Sequence, residues 1–324
     1  MTGAPPLIVL DRATKRFGDT VAVDALSLTV TRGEMFGLIG PDGAGKTTTI
    51  RVMAGLAQAT SGSVRVLGHD PARDHRPITE RVGYLSQQFS LYGDLSIDEN
   101  IAFFAEIHGL TDYGARRDRL LGLTQLAPFR GRLADRLSGG MKQKLALACT
   151  LVHQPELILL DEPTTGVDPV SRREFWKLLS EFLHEGLTIV MATPYLDEAE
   201  RCTRVALLHE GRLLAVDDPT RLRQAYPGEI FEVVADPRAD AVSLMSSHPD
   251  VEDAQVFGER MHVRVRNRRS AEARNWLEAT LVSGGLARVR VRQVPASLED
   301  VFIDRIRQAS ATTAPPADAE RVSP

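Results

Sequence analysis

Gly40-Pro41-Asp42-Gly43-Ala44-Gly45-Lys46-Thr47 is the stretch from which the fold is read. It follows an apolar run, Met35–Ile39, and precedes a helical pattern over Thr47–Ala57. A strand, a glycine-rich loop and a helix therefore come in direct succession, and the loop fits the pattern G-x-x-x-x-G-K-S/T. Its glycines let the backbone curl so that successive N–H groups point inward at phosphate oxygens, backed by a helix N-terminus. Lys46 is then set to reach the β- and γ-phosphates, the Thr47 hydroxyl to ligate Mg²⁺, and Thr48 to open the helix beside them. The chain has only five lysines, Lys15, Lys46, Lys142, Lys144 and Lys177, so a lysine at this position is a rare event rather than background.

Outward from the loop, short apolar runs alternate with longer helical patterns. Strands are expected at Leu7–Leu10, Leu26–Val30, Met35–Ile39, Arg81–Ser86, Leu157–Asp161, Thr188–Ala192 and Arg204–His209. Helices are expected at Thr47–Ala57, Ile97–His108, Tyr113–Leu126, Gly139–His153, Pro169–Glu185 and Leu196–Cys202. The later strands (LILLD, TIVMA, RVALLH) are nearly all apolar, as in a parallel sheet covered on both faces. Residues 88–136 break the rhythm with helices and no strand, which reads as a helical subdomain inserted into the α/β core.

The second half of a phosphate-transfer site should be acidic and should end a buried strand. Asp161-Glu162, directly after Leu157–Leu160, supplies it. Asp161 is placed to hold Mg²⁺ through water, and Glu162 to polarise the attacking water as general base. A further anion site is written at Ser138-Gly139-Gly140, where a strong helix begins with free N–H groups at its positive dipole end. The chain's own loop already cradles one nucleotide, so this second site is explained if it serves the nucleotide of a partner subunit.

Together, Leu137-Ser138-Gly139-Gly140-Met141 and the run LILL-Asp161-Glu162-Pro-Thr-Thr-Gly-Val-Asp168-Pro resemble the signature, Walker B and D-loop motifs of ABC-transporter nucleotide-binding domains. The resemblance spans roughly Ile8–Arg223. It implies a P-loop NTPase of α/β fold, two of which sandwich two ATP molecules. Each site would then pair one P-loop (Gly40–Thr48) with the other domain's Ser138–Gly140. It further implies that Phe17, in KRFG, stacks on adenine, that Gln87, in YLSQQ, contacts Mg²⁺ and senses the membrane partner, and that Asp168 acts as the D-loop aspartate. Gln88 is the weaker choice for the Gln87 role. Two departures stand out: Met141 replaces the glutamine that normally ends the signature, and Pro194 occupies the place of the switch histidine. Proline offers neither an imidazole nor an N–H to a γ-phosphate, so slow turnover through Glu162 is expected.

Near Tyr226-Pro227-Gly228 the pattern changes, and Pro-Gly marks a hinge between a domain over 1–225 and a second over 228–307. Strands Glu229–Ala235, Val251–Phe257, Met261–Arg266 and Arg288–Gln293, with helices Arg238–Ser246 and Ala271–Val282, give the order βαββαβ of a ferredoxin-like α+β accessory domain. A last helix opens at Ser297 with Asp300 at the capping-box position and runs to about Arg307, followed by an Ala/Pro/Thr-rich tail over 308–324 expected to be disordered. The closing Ser297-Leu-Glu-Asp-Val-Phe302 and Asp197–Cys202 (DEAERC) resemble the ATPases of multidrug and polyketide-antibiotic exporters. The resemblance implies export through a separate integral-membrane permease, with this chain peripheral on the inner face of the cell membrane.

Composition agrees with that class and excludes others. A formal charge of −4 gives no general reason to bind nucleic acid. Two cysteines make no disulfide framework, which fits a reducing cytosol. No apolar run is long enough for a membrane span, and the start, with no basic n-region and a short apolar stretch, is not expected to act as a secretion signal. Arginines at 264, 266, 268, 269, 288, 290 and 292 alternate with valine and raise the possibility of an RNA-binding sheet. Those strands carry no stacking aromatics, so a solvated face is the simpler expectation. Two rival readings stay open. One is a soluble ABC-type ATPase acting on ribosomes or DNA, against which stand the single domain and the lack of CxxC pairs and sustained heptads. The other is a regulatory subunit that binds ATP without hydrolysing it, motivated by Pro194.

Overall fold

The first two strands, β1 (Ile8–Phe17) and β2 (Thr20–Val30), form an antiparallel hairpin in the computed structural model, which describes residues 5–87, 91–266 and 270–313. After β3 (Met35–Ile39) and α1 (Lys46–Met53), β4 (Ser61–Val66) returns to the other side of β1, giving a three-stranded antiparallel sheet in the order β2-β1-β4. Of this sheet, only Leu7–Leu10 and Leu26–Val30 are expected strands, and the expected pairing is parallel, not antiparallel. The polar middles of β1 and β2 are strand because antiparallel pairing, with register shifts after Leu10 and Ala13, satisfies their backbone. Helix α1 ends four residues earlier than expected, because Gly55 at φ 74° turns the chain out of the helix.

The main sheet runs β5-β6-β7-β3-β8-β9, from β5 (Val82–Leu85), β6 (Leu157–Asp161), β7 (Thr188–Thr193), β8 (Arg204–His209) and β9 (Arg212–Asp217) around β3. The first five are parallel, and β9 closes the edge as an antiparallel hairpin partner of β8 that the sequence reading did not anticipate. β6, β7 and β3 are buried at every position, as their apolar runs require. The core lies between the antiparallel sheet and this one, where Ile8, Leu10 and Leu26 join Phe36, Ile50, Leu159 and Val190.

Short α2 (His75–Thr79) precedes β5, and α3 (Ile97–Ile107), α4 (Gly114–Leu123) and α5 (Gly139–Leu151) follow it. Helix α3 opens on a reciprocal capping box, with Ser96 N donating to Glu99 Oε2 at 2.7 Å and Glu99 N to Ser96 Oγ at 3.3 Å. Fully buried Asn100 donates to the carbonyls of Tyr92, Leu95 and Ser96 and accepts from Tyr92 N, fixing the segment that enters the helix. After β6 come α6 (Pro169–His184), β7 and the four-residue α7 (Leu196–Ala199).

The chain divides into two units between Pro219 and Thr220 rather than at the expected Tyr226-Pro227-Gly228. The second begins with α8 (Pro219–Gln224) and continues as β10 (Ile230–Asp236), α9 (Arg238–Ser247), β11 (Val251–Phe257), β12 (Arg260–Val265), α10 (Ser270–Ser283) and β13 (Ala287–Val294). Strand order β11-β12-β10-β13, antiparallel throughout, is the split-βαβ arrangement expected from the sequence. Phe231, Val233, Met261, Val263 and Val291 pack with Ala241, Met245, Leu277 and Leu281 of the two helices.

The terminal helix α11 (Leu298–Thr313) is longer than expected, since no proline interrupts the chain before Pro315. Its capping box forms as read, with Ser297 N donating to Asp300 Oδ2 and Asp300 N to Ser297 Oγ. Residues 314–324 lie outside the described residues, as do Gln88, Arg268 and Arg269. Helix α11 also overturns the expectation of a uniformly solvated arginine face. Arg264 is only 8% exposed and pairs with Asp304 of α11 at 3.3 Å and Glu252 at 3.2 Å. Arg292 reaches Glu232 at 2.6 Å and, like Arg266, Arg288 and Arg290, is exposed.

Candidate functional site

The loop between β3 and α1 is shaped by glycines for stated reasons. A Cβ on Gly40 would stand 2.2 Å from the Leu208 carbonyl oxygen, and one on Gly45, at φ 92°, would stand 2.4 Å from that of Ala22. Only glycine allows the loop to pass these backbones while turning its N–H groups inward. The cleft so formed, about 470 Å³, is lined by Asp42, Gly43, Ala44, Gly45, Lys46, Thr47 and Thr48, by Thr20–Ala22 of β2, and by Gln87 and Glu162.

Lys46 is 4% exposed, and its Nζ donates to the Pro41 carbonyl at 3.0 Å and stands 3.3 Å from Glu162 Oε1. Gln87 Nε2 donates to the other oxygen of Glu162 at 3.1 Å. Glu162 sits at φ 49°, a left-handed conformation that costs a non-glycine residue about 1–3 kcal/mol and persists only where the surroundings enforce it. Here its N–H donates across to the Ala192 carbonyl at 2.9 Å. Beside it, Thr47 Oγ1 donates to Asp161 Oδ1 at 2.8 Å. Asp161 Oδ2 is buried and has no hydrogen-bond partner among the described residues. Burial raises the Asp161 carboxyl above its ordinary range against the pull of the Thr47 hydrogen bond, and the neighbouring Glu162 adds to the rise.

An orphaned carboxylate oxygen next to a threonine hydroxyl is the donor set a hard divalent cation takes. The residues present therefore fit Mg²⁺, with Thr47 and Asp161 to hold it and Gln87 close by.

Phe17, at the end of β1 and paired with Thr20, is 55% exposed, so it is not a core residue, and it is not among the residues that line the cleft. Lys15 Nζ lies 4.8 Å from the ring centroid, an interaction that the two-residue period of a strand makes legible and that the sequence reading passed over. Thr20–Ala22 were also missed; the turn after Phe17 is what folds them back onto the loop.

Ser138, Gly139, Gly140 and Asp168 do not line this cleft. Ser138 caps α5, accepting from Met141 N at 3.3 Å, and Ser138 and Gly139 are exposed. Gly140 is buried against α6, where a Cβ would stand 2.2 Å from Ser171 Oγ. Asp168 caps α6 with bonds from Val170 N and Ser171 N at 3.0 Å; the Ser171 side chain foremost, and these N–H groups with it, hold its carboxyl below the ordinary range. Pro194 follows β7, and exposed His184 and strand-end His209 lie in other elements.

A family model described as ABC transporter matches residues 23–165. The chain is 40% identical over 315 residues to the probable multidrug ABC transporter ATP-binding protein YbhF of Escherichia coli, covering 95% of this chain and 54% of that protein. It thus spans about half the length of YbhF. It is 37% identical over 308 residues to the Nod factor export ATP-binding protein I of Burkholderia pseudomallei, covering 94% of this chain and 97% of the relative. Among solved structures, the dimeric structure of a bacterial ABC transporter cassette superposes with a TM-score of 0.59 at 27% identity, over 65% of this chain and 98% of that one.

Proposed function

The chain belongs to the ABC transporter ATP-binding family, and from that premise we propose that it is the ATP-hydrolysing subunit of an exporter. Its membrane-spanning part would be a separate permease that holds this chain at the inner face of the cell membrane. The observation that carries the reading is the meeting of the P-loop and the end of β6, where Lys46 faces Glu162 within one cleft and Thr47, which lines it, bonds buried Asp161. No helix among the described residues is long and apolar enough to cross a membrane. The export direction rests on what the relatives are named for.

The loop N–H groups and Lys46 hold the phosphates of ATP, and Phe17 stacks on the adenine. Glu162 takes the proton of the attacking water. Gln87, donating to one of its oxygens, orients the carboxylate and links it to the segment that enters the helical subdomain. Bound by Thr47 and Asp161, Mg²⁺ would neutralise charge on the β- and γ-phosphate oxygens. The exposed Ser138-Gly139 helix start, absent from this cleft, serves the ATP of a second nucleotide-binding domain, and Asp168 stands behind it at the head of α6. No nucleic acid enters this scheme.

Pro194 leaves the γ-phosphate without a switch imidazole, so turnover is slow in the isolated chain. The test is Mg·ATP hydrolysis by the purified chain beside Lys46→Ala and Pro194→His. Hydrolysis abolished by Lys46→Ala is the expected result, with a gain on Pro194→His. ATP binding without turnover in any assembly would instead make the chain a regulatory subunit.

A further inference from the structure

Behind the cleft lies a buried carboxylate to which the scheme above gives no task. Glu198, in the short helix α7, is 0% exposed. A carboxylate withdrawn from water is tolerated only when its oxygens are paired. Those of Glu198 collect four donors from three separate elements. Oε1 accepts from Thr164 Oγ1 at 2.5 Å, from Arg172 Nε at 2.7 Å and from Trp176 Nε1 at 3.3 Å. Oε2 accepts from Thr193 Oγ1 at 2.6 Å.

The origins of those donors matter. Thr164 lies two residues after Glu162, in the turn that follows β6. Thr193 is the last residue of β7, directly before Pro194, and its hydroxyl also accepts from Tyr195 N at 3.1 Å. Arg172 and Trp176 stand one turn apart on α6, the helix capped by Asp168. Both turns contain a proline, Pro163 and Pro194, which has no N–H with which to pin its own backbone. Side-chain hydroxyls next to those prolines take over the pinning, and both end on one carboxylate.

We propose that Glu198 is a positioning residue for ATP hydrolysis. It ties the turn bearing Glu162, the residue after β7 and the head of α6 into one rigid unit, so that the base keeps its strained backbone geometry. Arg172 extends the clamp: its Nη2 reaches both oxygens of Asp197 at 3.1 Å and its guanidinium lies 4.6 Å from the Tyr195 ring. This inference rests on the ATPase reading above.

The experiment uses the full-length chain as wild type, Glu198→Ala, Glu198→Gln and Lys46→Ala, with kcat, KM and ATP affinity measured alongside hydrogen–deuterium exchange. Glu198→Ala should lower kcat by about tenfold or more, the penalty of a small misplacement of reacting groups, and leave ATP affinity within about threefold. Glu198→Gln, which keeps an acceptor for the Thr164 and Arg172 donors, should recover most of that loss. Exchange should rise over 162–168 and 193–196 in Glu198→Ala and stay unchanged over the phosphate loop. An unchanged kcat overturns the proposal, as does a parallel fall in kcat and affinity with exchange raised everywhere. If Glu198→Ala does not fold, Thr164→Val and Thr193→Val decide, each removing one donor and each expected to lower kcat at constant affinity. A wild-type chain without hydrolysis sensitive to Lys46→Ala sinks the ATPase reading, and the exchange measurement alone then decides whether the clamp exists.

Discussion

Lys46 Nζ and Glu162 Oε1 stand 3.3 Å apart, with the two side chains only 4% and 9% exposed. The cation that grips phosphate and the carboxylate that would activate water thus share one nearly dry contact. Removing the negative charge of Glu162 removes the base and frees Lys46 for phosphate. Glu162→Gln should therefore cut turnover by about 100-fold or more, the contribution typical of a positioned general base, while ATP binding is retained or tightened. Steady-state hydrolysis and equilibrium ATP binding on the same preparation check this; turnover equal to wild type removes Glu162 from the mechanism.

The unpaired Asp161 Oδ2 beside the Thr47–Asp161 bond predicts a specific metal phenotype. Asp161→Asn keeps the shape and the acceptor for Thr47 but loses the charge. The Mg²⁺ concentration needed for half-maximal hydrolysis should rise by about tenfold or more. A magnesium titration at fixed ATP reads the shift, and an unmoved midpoint would remove Asp161 from the metal site.

Stability should fall as the solution is acidified from neutral, because of two stacked imidazoles. The rings of His108 and His153 lie 3.8 Å apart and within 6° of parallel. Burial, with His108 and Arg116 nearby, pulls His153 down to about 4, and burial lowers His108 too. With a folded pKa below the unfolded one, the unfolded chain binds more protons between about pH 6.5 and 4, so stability present above that window is lost on descending through it. The loss attributable to His153 is on the order of 2 kcal/mol once partial exposure is discounted. Thermal melts at pH 7 and pH 5 should show a smaller difference in His153→Phe than in wild type; equal differences would refute the assignment.

In the second unit, Asp304→Ala leaves Arg264 buried with Glu252 and the Pro227 carbonyl, to which Nη1 donates at 3.1 Å, as its remaining partners. The cost should be about 2–3 kcal/mol, below that of stripping a buried charge completely. Denaturant unfolding of the full chain should show the loss. Unchanged ATP binding would confine the effect to this unit, whereas unchanged unfolding would mean that water already solvates Arg264.

The phosphate loop, the acidic pair after β6 and the split-βαβ order were legible because each is a local pattern. Glycine spacing, an apolar run and a capping residue each act within about a dozen residues. The antiparallel sheet was harder to read, since β4 and the polar middle of β1 carry no apolar run and become strand only by pairing with their neighbours. Phe17 shows the limit from the other side. Its position in KRFG marked it, but only its 55% exposure separates a stacking ring from a core ring.

Glu198 and Arg264 show most clearly where local reading stops. In sequence the first is one acid in an acidic stretch and the second one arginine in an alternating strand, patterns that usually mean a solvated face. Both are buried because distant elements bring their partners: Thr164, Arg172 and Thr193 to the carboxylate, Asp304 to the guanidinium. The sequence by itself determined the phosphate loop, the acidic end of β6 and the βαββαβ order of the second unit, because these follow from neighbouring residues. Only the tertiary structure decided which charges leave water and which oxygen of Asp161 stays unpaired, because desolvation depends on what the rest of the chain packs around each group.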